Sequence, residues 1–242
     1  MTKVDAAAFA RRLERLRSKA ELRKYHRYFT FDEDALGDED RFIGVRMGQV
    51  FALAKEFIAM PPAQIEVLLK SPVHEVRAGG CSIMDKQARG KGTTLERRKE
   101  LYELYMRRHD RINSWDLVDL CCIHVVGGYL ADKSQKPLYT LARSRNVWKR
   151  RTAIVSTAYY IRQGDLDDAL KIALMLVRDK EDPVHKATGW MLRFAGDKDR
   201  RRLLEFLDKN AGAMPRVMLR NAIEHLGKGE RQRYMKLKEV TR

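Results

Sequence analysis

Apolar residues return every three to four positions along most of the chain, the spacing that gathers them on one face of an α-helix. Phe9, Leu13 and Leu16 form one such stripe, Ile65, Leu68 and Leu69 form another after Pro61-Pro62, and Leu166, Leu170, Leu174 and Val177 form a third. Alternating apolar and polar runs, which would mark half-buried strands, are nearly absent. Pro61-Pro62, Pro72, Pro137, Pro183 and Pro215 stand near helix starts, and Gly37, Gly164, Gly196, Gly212 and Gly227 stand near ends or turns. The pattern predicts an all-α chain of about a dozen helices, each about 10 to 15 residues long, with short connections.

A recurring phrase predicts that the helices come in pairs. Ser71-Pro72-Val73-His74-Glu75-Val76-Arg77, Arg145-Asn146-Val147-Trp148-Lys149-Arg150-Arg151, Asp182-Pro183-Val184-His185-Lys186 and Met214-Pro215-Arg216-Val217-Met218 each bring a turn residue or proline, a Val and a base together at a helix start. The valines lie 74, 37 and 33 residues apart, and a copy expected near position 110 falls beside Ile112-Asn113-Ser114-Trp115. A period of about 40 residues is that of an α-solenoid of HEAT-like helical repeats, here expected as a single domain over residues 1–242. An irregular helical bundle with recurring capping signals is the alternative. In a solenoid one helix of each pair lines a concave surface; the phrases place Arg77, Lys149, Arg150, Arg151, Lys186, Arg193 and Arg220 on equivalent helices, predicting a concave basic groove suited to phosphates.

Charge sharpens this expectation. Lys and Arg number 49 against 33 Asp and Glu, a formal net charge of +16, well beyond what solubility requires. The cations run from Arg11 to Arg242 instead of clustering on one amphipathic helix, which favours nucleic acid over a membrane surface. A protein-binding solenoid for acidic partners would share the charge. No stretch approaches the 18 or so apolar residues of a membrane span, and residues 1–20 lack an apolar signal core. Cys81, Cys121 and Cys122 offer no even disulfide framework. A soluble monomer in the cytoplasm, nucleoid-associated in a prokaryote, is expected.

Among candidate chemical motifs, Asn113-Ser114-Trp115-Asp116-Leu117-Val118-Asp119 is the most informative. Asn113 or Ser114 can cap a helix, and Asp116 falls in its first turn, where a carboxylate complements the helix dipole. Trp115 and Asp119 are four apart and share a face. Spacing alone favours a structural pair, a half-buried Trp beside an Asp bridged to Arg, over a catalytic one. Gly90-Lys91-Gly92-Thr93 is too short for a phosphate-binding P-loop and reads as a basic connection. Cys121, Cys122 and His124 lack a second pair of ligands, so no metal is expected; small buried cysteines suit a helix core. His74, His109, His124 and His185 read as surface or packing histidines, and no cofactor is implied.

Three segments together resemble the DNA alkylation repair proteins of the AlkD-like type. They are Ser114-Trp115-Asp116-Leu117-Val118-Asp119, Trp148-Lys149-Arg150-Arg151-Thr152-Ala153, and His185-Lys186-Ala187-Thr188-Gly189-Trp190-Met191-Leu192-Arg193. Asp40-Arg41-Phe42-Ile43-Gly44-Val45 is similar to an early Phe-x-Gly-Ile/Val stretch of that family. The resemblance runs from about Tyr25 to Arg193. It implies that Trp115 and Trp190 flank a damaged nucleotide, Asp119 faces its deoxyribose and Arg151 contacts the backbone. Arg151 neutralising Asp119, and Trp190 packing between repeats, are the structural alternatives.

The family also implies a tyrosine near the lesion, for which Tyr25 is favoured over Tyr28, ahead of the acidic run Asp32 to Asp40. Lys149, Arg150, Lys186 and Arg193 are the further DNA-binding candidates. The implied activity is monofunctional excision of N3- and N7-alkylated purines from alkylated double-stranded DNA, a hydrolase step of base excision repair, with the lesion left exposed instead of pocketed. A non-catalytic HEAT-like scaffold that binds nucleic acid explains fold and charge equally well. Only the set Trp115, Asp119, Arg151 and Trp190 separates the two, because a pure binder has no use for a carboxylate facing phosphates.

Overall fold

A computed structural model describes residues 4–25 and 41–237 of the chain. Tyr28 and the acidic run Asp32 to Asp40 lie outside the described residues. The described backbone is all-α apart from turns, with one isolated bridge between Arg41 and Val73. It divides into two compact units, Met1–Tyr129 and Leu130–Arg242.

In the first unit, α1 (Ala6–Glu14), α2 (Lys19–Tyr25), α3 (Met47–Glu56), α4 (Pro62–Leu69), α5 (His74–Arg89), α6 (Leu95–Arg107) and α7 (Trp115–Cys122) follow in order. Helices α1, α4 and α6 form one row, and α3, α5 and α7 form a second, with α5 in the middle touching both. The stripes work as expected at Phe9, Leu13, Ile65, Leu68 and Leu69, all essentially inaccessible to water. Close contact with α5 depends on small residues: a Cβ on Gly79 would stand 2.3 Å from the Phe9 ring. Thus α5 is buried on nearly every side from His74 to Asp85, polar residues included. Helix α7 runs into a π-helical turn, Ile123–Gly127. The three cysteines are buried, and Cys121 donates its thiol to the Leu117 carbonyl at 3.5 Å. Burial, and next the neighbouring Cys81, push that thiol's pKa up, so it behaves as an apolar filler.

The second unit repeats the plan with α8 (Lys136–Ala142), α9 (Val147–Val155), α10 (Ala158–Arg162), α11 (Asp167–Leu176), α12 (Asp182–Lys198), α13 (Arg200–Asn210), α14 (Arg216–Ala222) and α15 (Lys228–Met235). Helices α9, α12 and α14 stack as one row, with α8, α11 and α13 behind it. The recurring Val phrases open α9, α12 and α14 here and α5 in the first unit, so the phrase marks one row of a helical repeat. One stripe holds only in part: Leu166 and Val177 are buried and Leu170 is half-buried, but Leu174 is 55 % exposed, and α11 buries Ala169, Ile172, Ala173 and Leu176. That helix is apolar on two faces, so a 3.6-residue period fits either, and packing on α12 selects the face with the smaller side chains.

Candidate functional site

In the first unit the Trp115 helix is anchored by a buried polar stack. Ser114 occupies the N-cap position of α7 with extended backbone, but its hydroxyl donates to Asp116 Oδ1 at 2.6 Å instead of capping a backbone N–H. The other oxygen, Oδ2, lies 2.6 Å from His74 Nε2, and His74 is fully buried at the start of α5. Burial raises the Asp116 pKa, but the positive charge of His74 and the hydrogen bonds from His74, Ser114 and the Leu117 N–H outweigh it, so the carboxyl titrates below its ordinary value. Phe42 stacks on His74 with centroids 4.4 Å apart, and Tyr25 stacks on Phe42 at 5.4 Å.

The segment that delivers Phe42 is itself clamped. Glu75, fully buried one residue beyond His74, accepts the Ile43 N–H at 3.0 Å, the Gly44 N–H at 2.8 Å and the Val45 N–H at 3.3 Å. Gly44 sits at φ +79°, and a Cβ there would lie 2.2 Å from the Ser18 carbonyl oxygen, so only glycine fits. The Val45 carbonyl takes a 2.5 Å hydrogen bond from the Tyr25 hydroxyl. Burial, then Glu75, push the Tyr25 phenol up to about 12, keeping it a protonated donor. Glu75 and Tyr25 thus hold the Ile43–Val45 turn, and Phe42 of the same stretch stacks on the His74 that meets Asp116 in the first turn of α7.

From that anchored end, Trp115 projects 42 % exposed, and Asp119, one turn on, is half-buried. A turn further, half-buried His124 pairs through Nδ1 with Asp85 of α5 at 2.7 Å, and Asp85 also meets Arg89 at 3.2 Å. An exposed indole so close to a partly shielded carboxylate is an uncommon investment for a surface that only needs solubility.

In the second unit the row α9, α12, α14 carries the other candidates. Asn146 caps α9 by accepting the Trp148 and Lys149 N–H groups at 2.9 and 3.1 Å. Lys149 is half-buried in that first turn. Arg151 is buried, its guanidinium donating to the Pro183 carbonyl at the start of α12. Arg151, Lys186, Trp190, Val217, Arg220 and Asn221 line a cavity of about 430 Å3 that holds cations and no carboxylate. Gly189 permits it: a Cβ there would lie 2.4 Å from the Met218 carbonyl oxygen and 2.6 Å from Asn221 Cβ. Gly189→Ala is therefore expected to push α14 off α12 and to cost about 1 to 3 kcal/mol in urea unfolding, typical of overpacking; an unchanged unfolding midpoint would show the helices free to separate.

Two expected groove cations have other work. Arg77 is fully buried, with Nη1 donating to the Ser71 carbonyl at 2.9 Å and Nη2 lying 3.4 Å from His74 Nδ1, so it braces the start of α5 and lines no surface. Arg150 turns Nε and Nη2 to Asp179 at 2.5 and 3.1 Å, and Nη1 to the Ser144 and Arg145 carbonyls, which makes it a strut between α9 and the approach to α12. Arg193 pairs with Glu224, and Lys186, exposed, stands 3.9 Å from Asp182. Of the histidines, His74, His109 and His185 are buried. His185 meets the Asp179 carbonyl at 2.6 Å and Asp182 at 3.3 Å. The shared Pro-Val-His at 72–74 and 183–185 was the sequence signal for such buried polar anchors, and Glu75, Asn221 and Gly189 had none. Among the described residues no three His, Cys, Asp or Glu side chains gather as a metal site, and no helix is long and apolar enough to cross a membrane.

Comparison with known proteins adds the family. No curated protein matches the chain significantly. A solved structure described as a predicted DNA alkylation repair enzyme from Enterococcus faecalis superposes with a TM-score of 0.66 at 18% identity, over 88% of this chain and 97% of that one, a likeness of fold. The profile of the DNA alkylation repair enzymes matches residues 9–226, and the chain belongs to that family.

Proposed function

We propose that the protein is a monofunctional DNA glycosylase that hydrolyses the N-glycosidic bond of N3- and N7-alkylated purines in duplex DNA, in the cytoplasm, as a monomer without a metal or other cofactor. The observation that carries this reading is Trp115 exposed beside half-buried Asp119 on a helix whose start is locked by Asp116 and His74. Alkylation at N3 or N7 makes the purine cationic and a good leaving group, so protonation by a general acid is dispensable. The costly event is positive charge developing on the deoxyribose. A fixed carboxylate in a water-poor setting stabilises that charge and can orient the attacking water. The faces of Trp115 and Trp190 add cation–π attraction worth about 0.5 to 2 kcal/mol. Lys149, Lys186 and Arg193 supply phosphate contacts, Arg151 the backbone contact and Tyr25 the lesion-side tyrosine, its hydroxyl held by the Val45 carbonyl; Arg150 acts through its strut to Asp179.

Specificity then rests on the lability of the cationic nucleoside, so bulky alkyl groups are accepted and neutral lesions are poor substrates. The test is a variant combining Trp115→Ala, Asp119→Asn and Trp190→Ala, assayed in single turnover on methylated duplex. Excision is expected to fall to the spontaneous rate while salt-sensitive duplex binding persists. Excision unchanged from wild type would leave only a nucleic-acid-binding scaffold.

A further inference from the structure

The apolar face that packing leaves over on α11 borders a groove. Helices α11 and α13 both pack on α12, and a flank of each lines the space between them. Positions 167, 170, 171 and 174 of α11 and positions 202, 205, 206 and 209 of α13 share the spacing i, i+3, i+4, i+7, so each helix turns one ridge into a groove of about 310 Å3. Leu170, Leu174 and Phe206 are its apolar lining, with Leu174 exposed and Met175, next in the chain, exposed as well. A lone surface leucine is ordinary, but a leucine ridge set against a phenylalanine across a trough is a contact surface.

Charge selects the occupant. Asp167 is held by Arg202 across the groove at 2.8 Å, and Glu205 by Arg201 along α13 at 2.6 Å, so both carboxylates of the lining already have cations. Lys171 and Lys209 line the same groove, both exposed, and among the described residues neither forms an ion pair. Leucines flanked by two such ammonium groups suit an apolar partner with acidic edges. A second copy of the chain would bring another +16 and be repelled. Nucleic acid would meet an apolar lining and two carboxylates where it needs cations and donors. We propose that this groove docks an amphipathic helix of an acidic partner protein. The helix lays apolar residues at i, i+3, i+4 and i+7 against Leu170, Leu174 and Phe206, ridge into groove, and sets Asp or Glu beside Lys171 and Lys209. Because α11 and α13 lie behind the row that carries Lys149, Lys186 and Trp190, partner and duplex can be held at once.

The experiment selects displayed peptides of about 18 residues, long enough to hold a helix, on the full chain, and measures the enriched ones as synthetic peptides by fluorescence anisotropy. The enriched peptides should share the apolar i, i+3, i+4, i+7 stripe with acidic flanks and bind with micromolar Kd. Leu174→Asp should weaken them at least about tenfold, as the loss of one buried leucine would. Lys171→Glu combined with Lys209→Glu should weaken them about tenfold and restore binding to the same peptides with Lys in place of Glu. All three positions are exposed, so thermal melts of the variants should match wild type, and saturating duplex should leave peptide affinity unchanged. The site is overturned if no such pattern is enriched, if the peptides bind Leu174→Asp or the double lysine variant as tightly as wild type, or if duplex displaces them. It is equally overturned if sedimentation shows wild type self-associating through Leu174, which makes the face a self-interface, or if vesicles of phosphatidylglycerol bind wild type and not Leu174→Asp, which makes it a membrane contact.

Discussion

Asp119→Asn is expected to slow single-turnover excision of a methylated purine by about 10² to 10³, equivalent to about 2.7 to 4 kcal/mol on the barrier. The amide keeps the shape of the carboxylate and removes its charge, so the change isolates electrostatics from packing. Duplex affinity should hold or rise slightly, since a negative charge has been taken from a DNA-binding surface. Asp119 is half-buried, so the variant is checked by thermal melt. A folded variant that excises at the wild-type rate would remove Asp119 from the mechanism.

The largest effect on stability should come from Glu75, which clamps the segment that carries Phe42. Glu75→Ala strands the Ile43, Gly44 and Val45 N–H groups that its carboxylate accepts in a buried setting. Each unsatisfied buried donor costs about 1 to 3 kcal/mol, and part of that is recovered by relaxation, so a loss of about 3 to 5 kcal/mol is expected. The corresponding drop in melting temperature is on the order of 10 °C. Glu75→Gln keeps one accepting oxygen and should lose less. Because the clamp holds Phe42 between Tyr25 and His74, the Tyr25 hydroxyl should also lose its Val45 partner. A Glu75→Ala variant melting with wild type would mean that the Ile43–Val45 turn stands without the clamp.

The contrast between these two residues shows what a sequence discloses. The helical rows were legible because helix pairs repeat their capping and apolar signals, and Val73, Val147, Val184 and Val217 all proved to open helices of equivalent rows. Trp115 and Asp119 could be put on one helix face by spacing alone. Burial of charge was not legible. Arg77 and Arg151 fit the same phrase and both are enclosed, Arg77 against the Ser71 carbonyl and His74 and Arg151 against the Pro183 carbonyl, and such partners are set by tertiary packing. Arg150 likewise reads as a groove cation until Asp179, 29 residues away, is seen to claim it. The stripe Leu166, Leu170, Leu174 and Val177 held at Leu166 and Val177 and failed at Leu174 for a different reason: in a helix apolar on two sides, periodicity fixes the pitch and leaves the face open.

The assay that bears most directly on the account is release of free base. Duplex DNA methylated on purines is incubated with the protein in the presence of a chelator, and the small-molecule fraction is separated and identified. The account predicts free N3-methyladenine and N7-methylguanine appearing well above the spontaneous rate, with abasic sites left uncleaved in the strand and no effect of the chelator. Tight, salt-dependent binding to the same duplex with no base released above background would contradict it and leave the protein a DNA-binding scaffold.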